Sequence, residues 1–171
     1  MGGVCAIVGA GEGLGRALAI KFSDEGFDVA LLSRSPASCT GIMEEIRSRR
    51  RRATVKFFPV DASHPKDMES ALLTVSQVMG EIDVLIYNVR GEFARCAPLE
   101  MSYELLEDSL RLEVVGAFAA AKAVIPSMIQ RGRGSVFFSS ATAAFRGSST
   151  YPHYAIGKFG MRGLSQSLAK A

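Results

Sequence analysis

Short apolar runs alternate along this chain with stretches whose apolar residues recur at helical spacing. The run Val4–Val8, VCAIV, is apolar at every position and ends in glycines. A run with no polar alternation predicts a strand buried on both faces. Leu14, Leu18 and Phe22 then recur four apart, predicting a helix over 14–25. A second buried strand is expected over 27–32 and a polar helix over 37–50. The same reading gives a third strand over 55–60, a helix over 65–79, and a fourth strand over 82–87, IDVLIY. A long helical pattern covers 100–130, with a break expected near its start. Residues 135–138 read as a fifth strand, and 152–171 as a helix reaching the last residue. Five alternations of strand and helix predict βαβ units: an α/β protein with a parallel sheet covered on both faces and right-handed crossovers. No internal repeat, low-complexity segment or domain boundary appears, so residues 1–171 are expected to form one domain.

Composition adds little to that picture and removes some alternatives. At 171 residues the chain can bury a substantial core. Apolar residues make up 48% and charged residues 22%, ordinary values for a globular protein. The formal charge of +3 gives no reason to expect nucleic acid or a membrane as partner. The basic cluster Arg47 and 49–52 follows GIMEEI and precedes a β-like run. It reads as the solvated last turn of a helix, where cations suit the macrodipole; a nuclear-import or nucleic-acid patch is the alternative. Cys5, Cys39 and Cys96 are odd in number and lack metal-ligand or redox spacing, so they are expected as free thiols in a reducing compartment. The N-terminus lacks a basic segment followed by a signal-length apolar stretch. The apolar run 114–125 is interrupted by Lys122 and followed by Pro126, short of spanning length. The expected location is cytoplasmic.

Candidate chemistry begins after the first strand, at Gly9-Ala10-Gly11-Glu12-Gly13-Leu14-Gly15. Glycines let a backbone approach a pyrophosphate, and a helix N-terminus offers free N–H groups and the positive dipole end. GxGxxG does not fit, because Leu14 stands where its third glycine belongs. G-x-x-x-G-x-G does, on Gly9, Gly13 and Gly15. A tight strand-to-helix connection without a ligand is the alternative. The second strand ends in LLSRS. An acid there would grip both ribose hydroxyls of NAD, whereas an arginine accommodates the 2′-phosphate of NADP. Ser33 and Arg34 occupy the place, which favours NADP(H) over NAD(H); an exposed surface arginine is the alternative.

These features, taken with others downstream, resemble the short-chain dehydrogenase/reductase family over essentially the whole chain. The loop resembles that family's TGxxxGxG, with Val8 in place of threonine. By the same resemblance Gly11 and Leu14 join the cofactor-binding set, Asp61 in PVDAS contacts the adenine, and Asn88 in Asn88-Val89-Arg90-Gly91 matches the first asparagine of a degraded NNAG. Ser139-Ser140 followed by Tyr154-Ala-Ile-Gly-Lys158 is similar to the family's catalytic serine and YxxxK, with Ser140 the better match and its spacing to Tyr154 stretched by a residue. Two positions depart from the pattern. Glu113 stands where the family has an asparagine that positions a water in a proton relay, and Glu12 stands where NADP-preferring members often carry a base. The resemblance implies a Rossmann-type doubly wound fold truncated after the fifth strand and its helix. A further strand, a substrate-covering loop and a seventh strand would follow beyond Ala171. It also implies a homodimer or homotetramer packed through the helices around 116–121 and YxxxK. The small residues Gly116, Ala117 and Ala119 to Ala121 would serve that packing or packing on the sheet equally well.

Residues i and i+4 share one face of a helix. A phenol has a reference pKa near 10, and a nearby ammonium lowers it. Tyr154 and Lys158 therefore form the expected acid–base pair; a helix-start aromatic and an exposed lysine are the alternative. Tyr154 would donate a proton to the alkoxide left by hydride transfer to a carbonyl, or accept one in reverse. By resemblance Lys158 holds the nicotinamide ribose, Ser140 polarises the substrate oxygen, and Glu113 belongs to the catalytic set. Tyr151, whose i+4 residue is Ala155, is expected as a rim or packing residue, and His153 as a loop-end neighbour. The expected activity is hydride transfer between NADP(H) and a ketone or secondary alcohol of small size. A catalytically silent nucleotide-binding or scaffolding relative is the alternative.

Overall fold

The computed structural model describes residues 2–49 and 53–170. Five strands form one sheet: β1 (Val4–Val8), β2 (Asp28–Ser33), β3 (Val55–Pro59), β4 (Ile82–Tyr87) and β5 (Ser135–Phe138). Every pairing is parallel, and the order is β3-β2-β1-β4-β5. Parallel pairing requires a crossover between strands. Helices α1 (Leu14–Asp24), α2 (Ala37–Ser48), α3 (Pro65–Met79), α4 (Tyr103–Leu110) and α5 (Gly116–Arg131) supply those crossovers, and α6 (Pro152–Leu168) follows β5.

Side chains of β1 alternate between two cores because successive Cβ atoms point to opposite faces. Val4, Ala6 and Val8 join Leu72 and Val75 of α3, Ala120 and Val124 of α5, and Met161 of α6. Cys5 and Ile7 join Ala19 of α1 with Cys39, Ile42 and Ile46 of α2. The sheet is thus covered on both faces, as the apolar runs imply. β5 is the exception: it lies at the sheet edge, and Phe137 is 52% exposed.

The expected break near residue 100 falls at a short 3-10 turn, Pro98–Glu100. Ser102 then caps α4, its Oγ accepting from the Leu105 N–H at 3.1 Å. The helix does not stop at α4. A π-helical turn, Arg111–Val115, joins α4 to α5, with the Gly116 N–H reaching back five residues to the Arg111 carbonyl. The resulting helix, Tyr103–Arg131, has 29 residues and a mean hydropathy of 1.6 in its most apolar window, enough by length and composition to cross a membrane. This differs from the sequence reading, which weighed only the run 114–125. Its alanines at 117, 119, 120 and 121 are buried, and those at 117, 119 and 120 pack in the core shared with α3 and β4. The small residues of α5 therefore serve packing within the chain.

At the end of α2, Arg47 lies in the last turn, and Arg49 pairs with Asp24 at 2.6 Å and Glu45 at 2.8 Å. The helix-end reading of the basic cluster holds for these two; positions 50–52 lie outside the described residues.

Candidate active site

The strand order places a crevice at the C-terminal ends of β1 and β4. β1 pairs with β2 on one side and β4 on the other, so the chain reverses direction across the sheet between β3 and β4. Open α/β sheets hold ligands at such a switch point.

The glycine turn leaves β1 into this crevice. Gly9 has φ 81°, and a Cβ there would lie 2.8 Å from the backbone carbonyl of Asn88, so only glycine fits. Asn88 closes the contact from β4: its Nδ2 donates to the Gly9 carbonyl at 3.2 Å, and its N–H to Val8 at 2.8 Å. Gly13, at φ 90°, precedes α1, and no side chain caps that helix. Of the first N–H groups of α1, that of Arg16 donates to Gly11 O at 2.8 Å and that of Ala17 to Gly13 O at 3.0 Å, which leaves those of Leu14 and Gly15 for a ligand. Around Gly11 there is open space; Gly15 packs under the Gly9 carbonyl; Leu14 is exposed. A phosphate finds here an uncapped helix N-terminus and an approach free of side chains. Glu12 is exposed on the same turn.

Across β2, Arg34 is exposed just past the strand, while the Ser33 hydroxyl donates to Ser35 O at 3.1 Å and meets Ser38 at 3.0 Å. Asp61, after β3, accepts from the Ser63 N–H at 2.9 Å and its hydroxyl at 2.8 Å. That backbone hydrogen bond is the main cause holding the Asp61 carboxyl below its ordinary value, with His64 and Arg34 adding to it. These residues, together with the glycine turn and Asn88, fit a dinucleotide lying from β2 to β4.

Tyr154 and Lys158 share one face of α6, with Lys158 Nζ 5.6 Å from the Tyr154 ring centre. Lys158 is buried. Its Nζ donates to the Ser139 carbonyl at 3.0 Å, lies 3.5 Å from the Val89 carbonyl, and pairs with Glu113 Oε2 at 2.6 Å. Glu113 comes from the π-helical turn, and its Oε1 accepts from the Gly91 N–H at 3.1 Å. Gly157 makes the approach possible, since a Cβ there would lie 3.0 Å from the Glu113 side chain. Ser140 follows β5, exposed at the crevice edge. The expectation that Lys158 lowers the Tyr154 phenol is corrected. The phenol is held above its ordinary value, first by burial and then by the Glu113 carboxylate, with Arg90 opposing.

Tyr151 packs edge-on against Phe93 at 5.3 Å, in keeping with a packing role. His153 is more enclosed than a loop-end neighbour: it is buried, with Nε2 3.0 Å from the Glu92 carbonyl. Phe93 itself and Arg90 were not among the candidate residues. Phe93 stacks at 4.8 Å on Tyr154, and the Arg90 guanidinium covers Phe93 at 4.7 Å. The signal was the substitution of Arg90 within the degraded asparagine motif. Tyr87 was also missed. Its hydroxyl donates to Leu112 O at 2.6 Å, beneath the π-helical turn.

The sheet order, the switch-point crevice and the uncapped glycine turn define a doubly wound α/β protein of the nucleotide-binding class. The family model described as short chain dehydrogenase matches residues 3–171. The chain belongs to the short-chain dehydrogenase/reductase family. It is 30% identical to a short-chain dehydrogenase/reductase of Hericium erinaceus, over 98% of this chain and 68% of that protein. A short-chain dehydrogenase/reductase of Armillaria gallica is 28% identical, over 98% of this chain and 64% of that one. The chain thus spans about two thirds of the length of these relatives. Among solved structures, a short-chain dehydrogenase from Rhodopseudomonas palustris superposes with a TM-score of 0.91 at 26% identity, covering 98% of this chain and 77% of that one. L-sorbose reductase from Gluconobacter frateurii, complexed with NADPH and L-sorbose, shares the fold with a TM-score of 0.90 at 24% identity, covering 99% and 64%.

Proposed function

We propose that this chain carries the cofactor site and the acid–base residues of an NADP(H)-dependent oxidoreductase acting on a ketone or secondary alcohol. The observation that supports this most is the buried Lys158, held at the mouth of β4 and β5 by two carbonyls and Glu113, directly under Tyr154 on the same helix face. A lysine packed this way is not a solvated surface cation.

A bound nicotinamide supplies or accepts the hydride. The chain's own residues do the rest. Gly9, Gly11, Gly13, Leu14 and Gly15 seat the pyrophosphate against α1, Asp61 flanks the adenine, and Asn88 fixes the glycine turn to β4. Ser140 donates to the carbonyl oxygen and orients it. Tyr154 gives its phenolic proton to that oxygen as it gains charge: the Tyr154 O–H bond breaks and the alcohol O–H bond forms. In the reverse direction the phenolate accepts the alcohol proton. Ser33 and Arg34 receive the 2′-phosphate. Among the neighbours one is complexed with NADPH and another, xylitol dehydrogenase, is NAD+-bound; in this chain Arg34 and the lack of an acid at the end of β2 favour NADP(H). Residues 1–171 act as one NAD(P)-binding domain, in a cytoplasmic homodimer or homotetramer.

NADPH oxidation against a panel of ketones and aldehydes tests this, with Tyr154→Phe as control. Turnover that survives Tyr154→Phe sinks the assignment of the acid. Arg34→Asp should weaken NADPH binding about tenfold or more relative to NADH, as expected for loss of a charge-assisted contact. A second reading, a silent nucleotide-binding relative, draws on the Glu113–Lys158 pair. Saturable NADPH binding without turnover is its signature.

A further inference from the structure

The Glu113–Lys158 pair is closed on all sides. Its side chains are 1% and 3% exposed, and Oε2 meets Nζ at 2.6 Å. From α6, Tyr154 faces the pair, its ring centre 5.6 Å from Lys158 Nζ, while the His153 ring is engaged at Glu92 O. From β4 and the loop after it come Tyr87 and the Gly91 N–H, while Arg90 covers Phe93 and acts on Tyr154. Tyr87 has its hydroxyl on Leu112 O and is raised by burial, by Glu113 and by Asp61 across the β3 loop. From just past β5 comes the Ser139 carbonyl, and from the loop after β4 that of Val89. On the helix of Glu113 itself, Glu107, Asp108 and Arg111 are exposed to solvent.

A lone ammonium beside a phenol favours the phenolate. A carboxylate in contact with that ammonium turns the charge into a dipole, whose field falls off faster with distance. Glu113 also fixes where Lys158 can be, because Oε1 is anchored at Gly91 and the Nζ is anchored at Ser139. We propose that Glu113 is a positioning residue that holds Lys158 in place and cancels its charge at the Tyr154 hydroxyl, setting the site to donate a proton to a nascent alkoxide and to accept one only under alkaline conditions. This rests on Tyr154 being the acid of the proposed reaction. In reduction the phenol O–H breaks, the alcohol O–H forms, and the phenolate regains its proton from solvent. In oxidation the phenolate must exist before hydride leaves the alcohol carbon. Glu113 thus keeps Tyr154 in its proton-donating form at neutral pH, while the ratio of kcat/KM in the two directions stays set by the overall equilibrium.

The test uses Glu113→Gln, which removes the charge and keeps an oxygen for Gly91. Tyrosinate absorbance is titrated in the parent and in Glu113→Gln, each against its Tyr154→Phe partner, so that the difference isolates Tyr154. The expected result is ionisation of Tyr154 about one pH unit or more lower in Glu113→Gln. The rising limb of the kcat/KM–pH profile for alcohol oxidation should move down by the same amount, and Glu113→Asp should restore the parent profile. Coincident titrations, or an unmoved limb beside an unmoved titration, overturn the proposal. If Glu113→Gln does not fold, Glu113→Asn, the residue the family carries at this position, takes its place in the same difference titration: a lowered Tyr154 ionisation supports the proposal, and coincident titrations overturn it. Absence of turnover in every assay counts against the reaction, whereas the titration still decides the role of Glu113.

Discussion

Taking Lys158 away strands Glu113 as a buried carboxylate whose Oε2 has lost its cation. Lys158→Met should therefore cost about 3–5 kcal/mol of folding stability, the scale for breaking a buried pair from one side. Tyr154→Phe should stay within about 1 kcal/mol, because the half-buried ring keeps its stack on Phe93. Urea denaturation midpoints of the two variants check this, and equal losses contradict it. The thiols offer a second residue-scale measurement. Burial pushes the Cys5 thiol up to about 12, and Cys39 is also buried, whereas Cys96 is partly exposed. An alkylating reagent at neutral pH should label Cys96 first and Cys5 only after denaturation, as mass spectrometry of the peptides would show. At this scale Lys158 and Tyr154 were legible, because an i, i+4 pair needs only the helix to form. Arg90 and Phe93 were not: their place over Tyr154 depends on the path of the loop after β4, which no spacing encodes.

Strands read well from the chain because a parallel strand buried on both faces writes an unbroken apolar run, as in VCAIV and IDVLIY. The π-helical turn did not, since widening one turn leaves the apolar period nearly unchanged. Its structural support is specific. Tyr87 donates to Leu112 O from below, and Gly116 leaves the space, since a Cβ there would come within 2.4 Å of the Tyr87 hydroxyl and 2.2 Å of the Ala62 carbonyl. Tyr87→Phe should cost about 1–3 kcal/mol, the penalty for leaving a buried carbonyl without its donor. The same change should shift Glu113 and so alter the pH profile of catalysis. Thermal melts and pH–rate profiles of this variant measure both effects, and an unaltered melt would remove Tyr87 as the support of the turn.

Across the molecule, the crevice separates the α1–α2 side from the α3–α5–α6 side, and a dinucleotide lying across it would touch both. NADPH at a hundredfold excess over its Kd should stabilise the chain by about 2.7 kcal/mol, seen as a shift of several degrees in Tm. Gly9→Ala should abolish that shift, because its Cβ collides with the Asn88 carbonyl; a full shift in Gly9→Ala argues that the turn does not hold the ligand. The parallel sheet and its two covered faces followed from the alternation of runs, but the strand order and the solvent-facing last strand did not, because apolar character alone does not say which strand lies outermost. The Asn88 amide laces the glycine turn to β4 across that crevice, so a ligand arriving there meets a turn whose shape is already set and loses little freedom in fixing it.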